Sequence, residues 1–180
     1  LVACQANPIS GRSQLVLVSE EQAQASSAQA YTQTLSEAQK KGKLSTDAAL
    51  NARVKRITDR LIVQAGAMYP PSRDWKWSVA VIDEPALNAW CMPGGKIAVY
   101  TGLIERLQAT DDELAAVMGH EIAHALREHG RERASQAAGQ GLAIGVLAAV
   151  TGAPAAAGDL TQMILDYTFN LPNSRTHEIE

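Results

Sequence analysis

The sequence predicts an α+β fold, mainly helical, with a small β-sheet packed on one central helix. Three observations predict it. Two long stretches near the front carry helix start and stop signals, two short ones read as strands, and residues 110–130 read as a capped amphipathic helix.

Taken in order, Ser19 with Gln22 three residues on makes a capping box for a polar, alanine-rich helix reaching about Lys41, ended by Gly42. Leu50, Val54, Ile57, Leu61 and Met68 share one face of a second helix that stops at Pro70-Pro71. Trp75, Trp77, Val79 and Val81 alternate with Lys76, Ser78 and Ala80, which predicts a strand. A second strand, Lys96 to Tyr100, follows the Gly94-Gly95 turn. Its expected role is to offer an unpaired edge to an extended peptide, with an internal hairpin strand as the alternative. Thr110 and Glu113 form another capping box, with Asp111 and Asp112 in the first turn. The helix they start is expected to run from Asp111 to His129, with Leu114, Val117, Met118, Ile122 and Ala125 as its buried stripe and Gly130 as its C-cap.

That helix carries His120-Glu121-Ile122-Ala123-His124. Histidines four residues apart stack one turn above the other, so both can turn a ring nitrogen to one metal ion. Glu121 then stands beside the ion as a general base, placed to take a proton from a water that zinc has acidified from a pKa of about 15.7 to about 7 and pass it to a leaving amine. The alternative is an accidental pattern, two half-exposed histidines and a surface glutamate. A catalytic zinc usually has three protein ligands, so a third is needed. Glu128 continues the spacing but lies about 12 Å from His120 along the axis at 1.5 Å per residue, too far for one ion. Residues 173–180 look like the start of another helix, and Glu178 and Glu180 are the carboxylates it offers.

Four stretches, in order, resemble the HtpX-like and CAAX prenyl protease-like gluzincins, a family that includes BepA-like and LoiP-like bacterial envelope peptidases. They are Asn88-Ala89-Trp90 with residues 93–103, residues 112–117 leading into His120 to His124, His129, and Ser174-Arg175 with Glu178-Ile179-Glu180. The resemblance covers roughly Leu50 to Glu180. It implies a zincin-like fold, one Zn²⁺ per chain held by His120, His124 and Glu178, Glu121 as catalytic base, and zinc-dependent endopeptidase activity. Family members continue past this glutamate with an Ala-Asp pair and a later His-Pro segment, so the chain is expected to be a portion of a longer protein. No oxyanion partner is assigned: Tyr100 and His129 stay open, the family places its usual helper beyond Glu180, and Arg175 and His177 read as supports of the second helix.

At the front, Leu1-Val2-Ala3-Cys4 looks like a bacterial lipobox, which makes Cys4 the lipidated residue and Gln5 a pointer to the outer membrane. The expected organisation is a lipobox remnant at residues 1–4, a polar segment and helix at 5–44, and the zinc peptidase domain at 45–180, incomplete at its C-terminal end. The expected setting is the periplasm, with a lipid anchor in the membrane and unfolded or misassembled envelope proteins as substrates. A periplasmic chaperone or assembly factor with a latent or structural zinc site is the second reading. A net charge of −3 gives no basic patch for nucleic acid, and 46% hydrophobic residues suffice for one core. Cys91, between Trp90 and Met92, reads as a packed thiol, with a reversible zinc-blocking thiolate as the sharper alternative. Residues 134–158 carry no charge; with Ser135, Gln136, Pro154 and several glycines they read as a helical hairpin, buried or covering the cleft, rather than a membrane span.

Overall fold

The computed structural model describes residues 4–7, 9–136, 138 and 139. Its elements are β1 (Cys4–Ala6), β2 (Ser13–Leu15), α1 (Glu20–Lys40), α2 (Ala48–Met68), a 3₁₀ turn (Pro70–Asp74), β3 (Ser78–Ile82), β4 (Ala89–Met92), β5 (Lys96–Tyr100), α3 (Thr101–Arg106) and α4 (Asp111–Leu126). β1 and β2 pair as an antiparallel hairpin, and the other strands form a sheet in the order β3-β5-β4. β3 runs parallel to β5 and β4 antiparallel to it.

The sheet is the middle of three layers, because side chains along a strand point alternately to its two faces. On β5, Ile97 and Val99 enter the main core with Val54 and Ile57 of α2 and Leu114, Met118 and Ile122 of α4. Ala98 and Tyr100 face the other way, against Ala30 and Tyr31 of α1 and Trp90 and Met92 of β4. Tyr31 also donates from its hydroxyl to the Ile97 carbonyl at 3.2 Å, tying α1 to the centre of the sheet.

The sequence boundaries hold where a local signal sets them. Ser19 and Gln22 form the capping box of α1, Lys41 caps its end, and Gly42 takes the left-handed φ of 66°. α2 is capped by Asp47 and gives way to the 3₁₀ turn at the proline pair. Thr110 and Glu113 cap α4, and Arg53 on α2 reaches across to Asp111 at 2.6 Å and to the Ala109 carbonyl at 2.6 Å.

Four expectations are overturned. β5 is the central strand, with both edges filled, so it has no edge to offer an extended peptide; β4, whose one partner among the described residues is β5, is an edge strand. Trp75 and Trp77 precede β3 instead of belonging to it: their rings stand 5.3 Å apart and Trp77 donates from its indole to the Ser72 carbonyl at 2.8 Å, so the prolines and aromatic packing take precedence over alternation. Val117 lies on the exposed side of α4, at 36% of its full accessibility, while Leu114 and Met118 are fully buried. Finally, α4 stops at Leu126 and not at His129. Glu128 turns left-handed with φ of 58°, and helix resumes through Gly130, which is therefore no cap.

Residues 134–136, 138 and 139 of the uncharged stretch are helical, and the rest of it lies outside the described residues. No helix among the described residues is long and apolar enough to cross a membrane.

Gly102, at the start of α3, has no room for a side chain, since a Cβ there would sit 2.3 Å from the Pro85 carbonyl carbon. Its own amide donates to the Glu84 carbonyl at 2.9 Å and holds the β3–β4 loop against the helix. Gly102→Ala is expected to cost about 1–3 kcal/mol of stability, the usual range for overpacking, read as a lowered midpoint in chemical denaturation. An unchanged midpoint would show that the loop yields.

Candidate metal centre

α4 positions the site by burying one stripe and leaving the neighbouring edge open. His120 is exposed, Glu121 half-buried, and His124 buried at the margin of the core. The helical spacing brings the Nε2 atoms of His120 and His124 to 3.0 Å from each other, with ring centroids 4.4 Å apart. Two nitrogens on a tetrahedral zinc, each about 2.0–2.1 Å from it, stand about 3.3 Å apart. The pair therefore needs a shift of only a few tenths of an ångström to hold one ion, and neutral imidazoles are ordinary zinc donors.

His129 supplies the support behind this pair. It is buried at 1% exposure, and its Nδ1 lies 2.7 Å from Nδ1 of His124. If Nε2 of His124 is to keep a lone pair for a metal, the ring proton must sit on Nδ1, where His129 can accept it. The contact is compatible with the ligating tautomer and restrains the plane of the ring.

Glu121 follows His120 on the same helix, and its charge reaches Cys91 on β4. Burial, reinforced by this carboxylate, pushes the Cys91 thiol up and keeps it protonated. The packed reading of Cys91 is the one the geometry favours: half-buried, it donates weakly to the Met92 carbonyl at 3.6 Å.

Tyr100 is excluded as an oxyanion partner. It lies in the core on the α1 side of the sheet, opposite the face that packs on α4, with its hydroxyl 3.5 Å from the Trp90 indole nitrogen. Burial raises its hydroxyl above the ordinary range. His129, engaged with His124, is a ring support rather than an oxyanion donor. Glu178, Arg175 and His177 lie outside the described residues, and among the described residues no three His, Cys, Asp or Glu side chains gather around one metal position.

What the sequence did not signal is the buried polar join at the C-terminal end of α4. The Glu128 carboxylate accepts from Gln14 Nε2 at 3.0 Å and from Arg131 Nη1 at 2.6 Å, and the Asn7 amide donates to the Arg127 carbonyl. These partners are more than a hundred residues apart for Gln14 and Asn7, so no local pattern could reveal them.

Comparison with known proteins shows the family of the chain. Residues 48–180 match the model of peptidase family M48. The chain belongs to that family. It is 34% identical over 130 residues to a bovine protein named mitochondrial metalloendopeptidase OMA1, covering 72% of this chain and 24% of the relative. The Saccharomyces cerevisiae protein of that name is 36% identical over 107 residues, covering 58% of this chain and 30% of the relative. A Vibrio cholerae protein, provisionally named a beta-barrel assembly-enhancing protease, is 32% identical over 83 residues, covering 46% and 16%. The chain thus spans about a quarter to a third of the length of these bovine and yeast relatives. Membership of M48 makes the fold zincin-like and the family chemistry metal-dependent peptide hydrolysis.

Proposed function

We propose that this chain is the core of a zinc-dependent endopeptidase that acts on proteins of the bacterial envelope in quality control. The observation that carries the proposal is the pair of Nε2 atoms 3.0 Å apart on α4, with Glu121 beside them, in a chain that belongs to M48. His120 and His124 would hold the ion with Glu178 as third ligand, the last resting on the sequence resemblance. When bound, zinc supplies Lewis acidity to the scissile carbonyl and acidifies a water. Glu121 would take a proton from the attacking water as its oxygen adds to the scissile carbonyl, and return it to the amide nitrogen, so that the C–N bond breaks and the amine leaves neutral. With its Nδ1 proton directed to His129, His124 would keep Nε2 free for the ion.

The envelope setting is supported by Leu1-Val2-Ala3-Cys4 and by the name of the Vibrio relative. Cys4 is exposed at the start of β1, where an attached lipid would have room. The mitochondrial relatives place those proteins, and the compartment of this one turns on Cys4.

Glu121→Gln is expected to retain zinc and to lower peptide turnover by about 10²–10⁴-fold, the usual contribution of a positioned base. Turnover that survives the substitution would contradict the assignment. A chaperone would keep its holding activity in that variant, which separates the two readings. For the anchor, metabolic labelling of the full-length protein with radiolabelled palmitate is expected to mark the wild type and to vanish in Cys4→Ser. Label retained in Cys4→Ser, or none in wild type, would remove the anchor from the proposal.

A further inference from the structure

The segment preceding α1 lies against the turn between α4 and the helical residues 129–136; beside the apolar contacts of Ile9 with the main core and of Val18 with Ala23 and Ala134, it is held there by polar bonds. Asn7 donates to the carbonyl of Arg127, and Gln14 donates to the carboxylate of Glu128 at 3.0 Å. Arg12 pairs with Glu132, with one bond at 2.9 Å. The amides of Leu17 and Val18 both donate to Ser135 Oγ, at 3.0 and 3.1 Å, and Arg131 Nε donates to the Val18 carbonyl at 2.7 Å. Asn7 and Gln14 are each 2% exposed, and Asn7 also donates to Gln14 at 3.2 Å.

Buried amides stabilise only the arrangement that satisfies them, and a missed bond costs about 1–3 kcal/mol. An apolar join could slide by an ångström at little cost, whereas this one defines a register. The residues it holds, Arg127 and Glu128, directly precede His129. Glu128 has a left-handed backbone, φ 58°, which a non-glycine residue adopts only when its surroundings enforce it. The carboxylate bonds to Gln14 and Arg131 supply that enforcement.

We propose that residues 4–7 and 9–18 form a strap that sets the position of His129 and, through the 2.7 Å contact of His129 with His124, the metal site; Asn7 and Gln14 are its positioning residues. The proposal rests on the zinc reading of His120 and His124. The strap lies outside the residues 48–180 matched to M48, so family membership does not account for it.

The test uses the full chain. Asn7→Asp keeps the Oδ1 that accepts from the amides of Ile9 at 3.0 Å and Ser10 at 2.9 Å, and removes the donor to Arg127. Gln14→Met removes the bond to Glu128 at similar volume. Zinc affinity is read by chelator competition, and site geometry by the visible spectrum of the cobalt-substituted protein. Each variant is expected to bind zinc about tenfold more weakly, in the range for partners that orient a ligand, and to shift the cobalt spectrum, while the metal-free protein still melts cooperatively. Ser135→Ala loosens the same strap more gently and is expected to move both readouts in the same direction, so a misfolded amide variant leaves the question answerable. Affinity and spectrum unchanged in folded variants would overturn the strap and leave the metal centre standing. A wild type that takes up no zinc would overturn the metal reading, and the strap's role with it.

Discussion

The burial of one stripe of α4 against the three-stranded sheet is the constraint from which the site follows. Leu114, Met118 and Ile122 meet Ile97 and Val99 of β5 in the main core. Each such side chain gains about 1.5–3 kcal/mol on burial. With that stripe fixed, the rotation of the helix is fixed, and His120, Glu121 and His124 are carried to the margin between core and solvent. A rotation by one residue, about 100°, would bury Glu121 or turn both imidazoles into water. The histidine pair is held closely because it is built on a rigid element whose other face is packed in the core.

The second constraint is polar. At its C-terminal end α4 is not closed by glycine but by a glutamate in a left-handed conformation, stabilised by side chains from the beginning of the chain and from the next turn. That junction turns the backbone sharply enough for His129 to come back against His124. Hydrophobic packing and buried amides thus divide the work: the first sets the rotation of the helix, the second sets the ring behind the ligand.

This division explains how much was legible in the sequence. Capping boxes at Ser19 and Thr110, the proline stop after α2 and the Lys96 to Tyr100 strand depend on residues a few positions apart, and the structure has them where the pattern places them. The central position of β5 was misread: the expectation of a free edge set aside that Ile97-Ala98-Val99-Tyr100 is apolar on both faces, as strands covered on both sides are. The end of α4 was not legible, because Glu128 takes its backbone angle from partners distant in the chain, while Gly130 offers a locally plausible stop that is not used. Tyr100 was misleading for a similar reason. Its proximity in sequence to the site says nothing about which face of β5 it occupies, and that face belongs to α1. The placement of His120, Glu121 and His124 together on α4 was legible because a helix repeats every 3.6 residues and the pattern needs only one turn.

The central claim is that the histidine pair of α4 holds a metal. Elemental analysis of the purified protein tests it most directly, with His120→Ala and Glu178→Ala alongside the wild type. One zinc per chain in the wild type, lost in both variants, is the predicted result. Zinc absent from the wild type, or undiminished in His120→Ala, would contradict it.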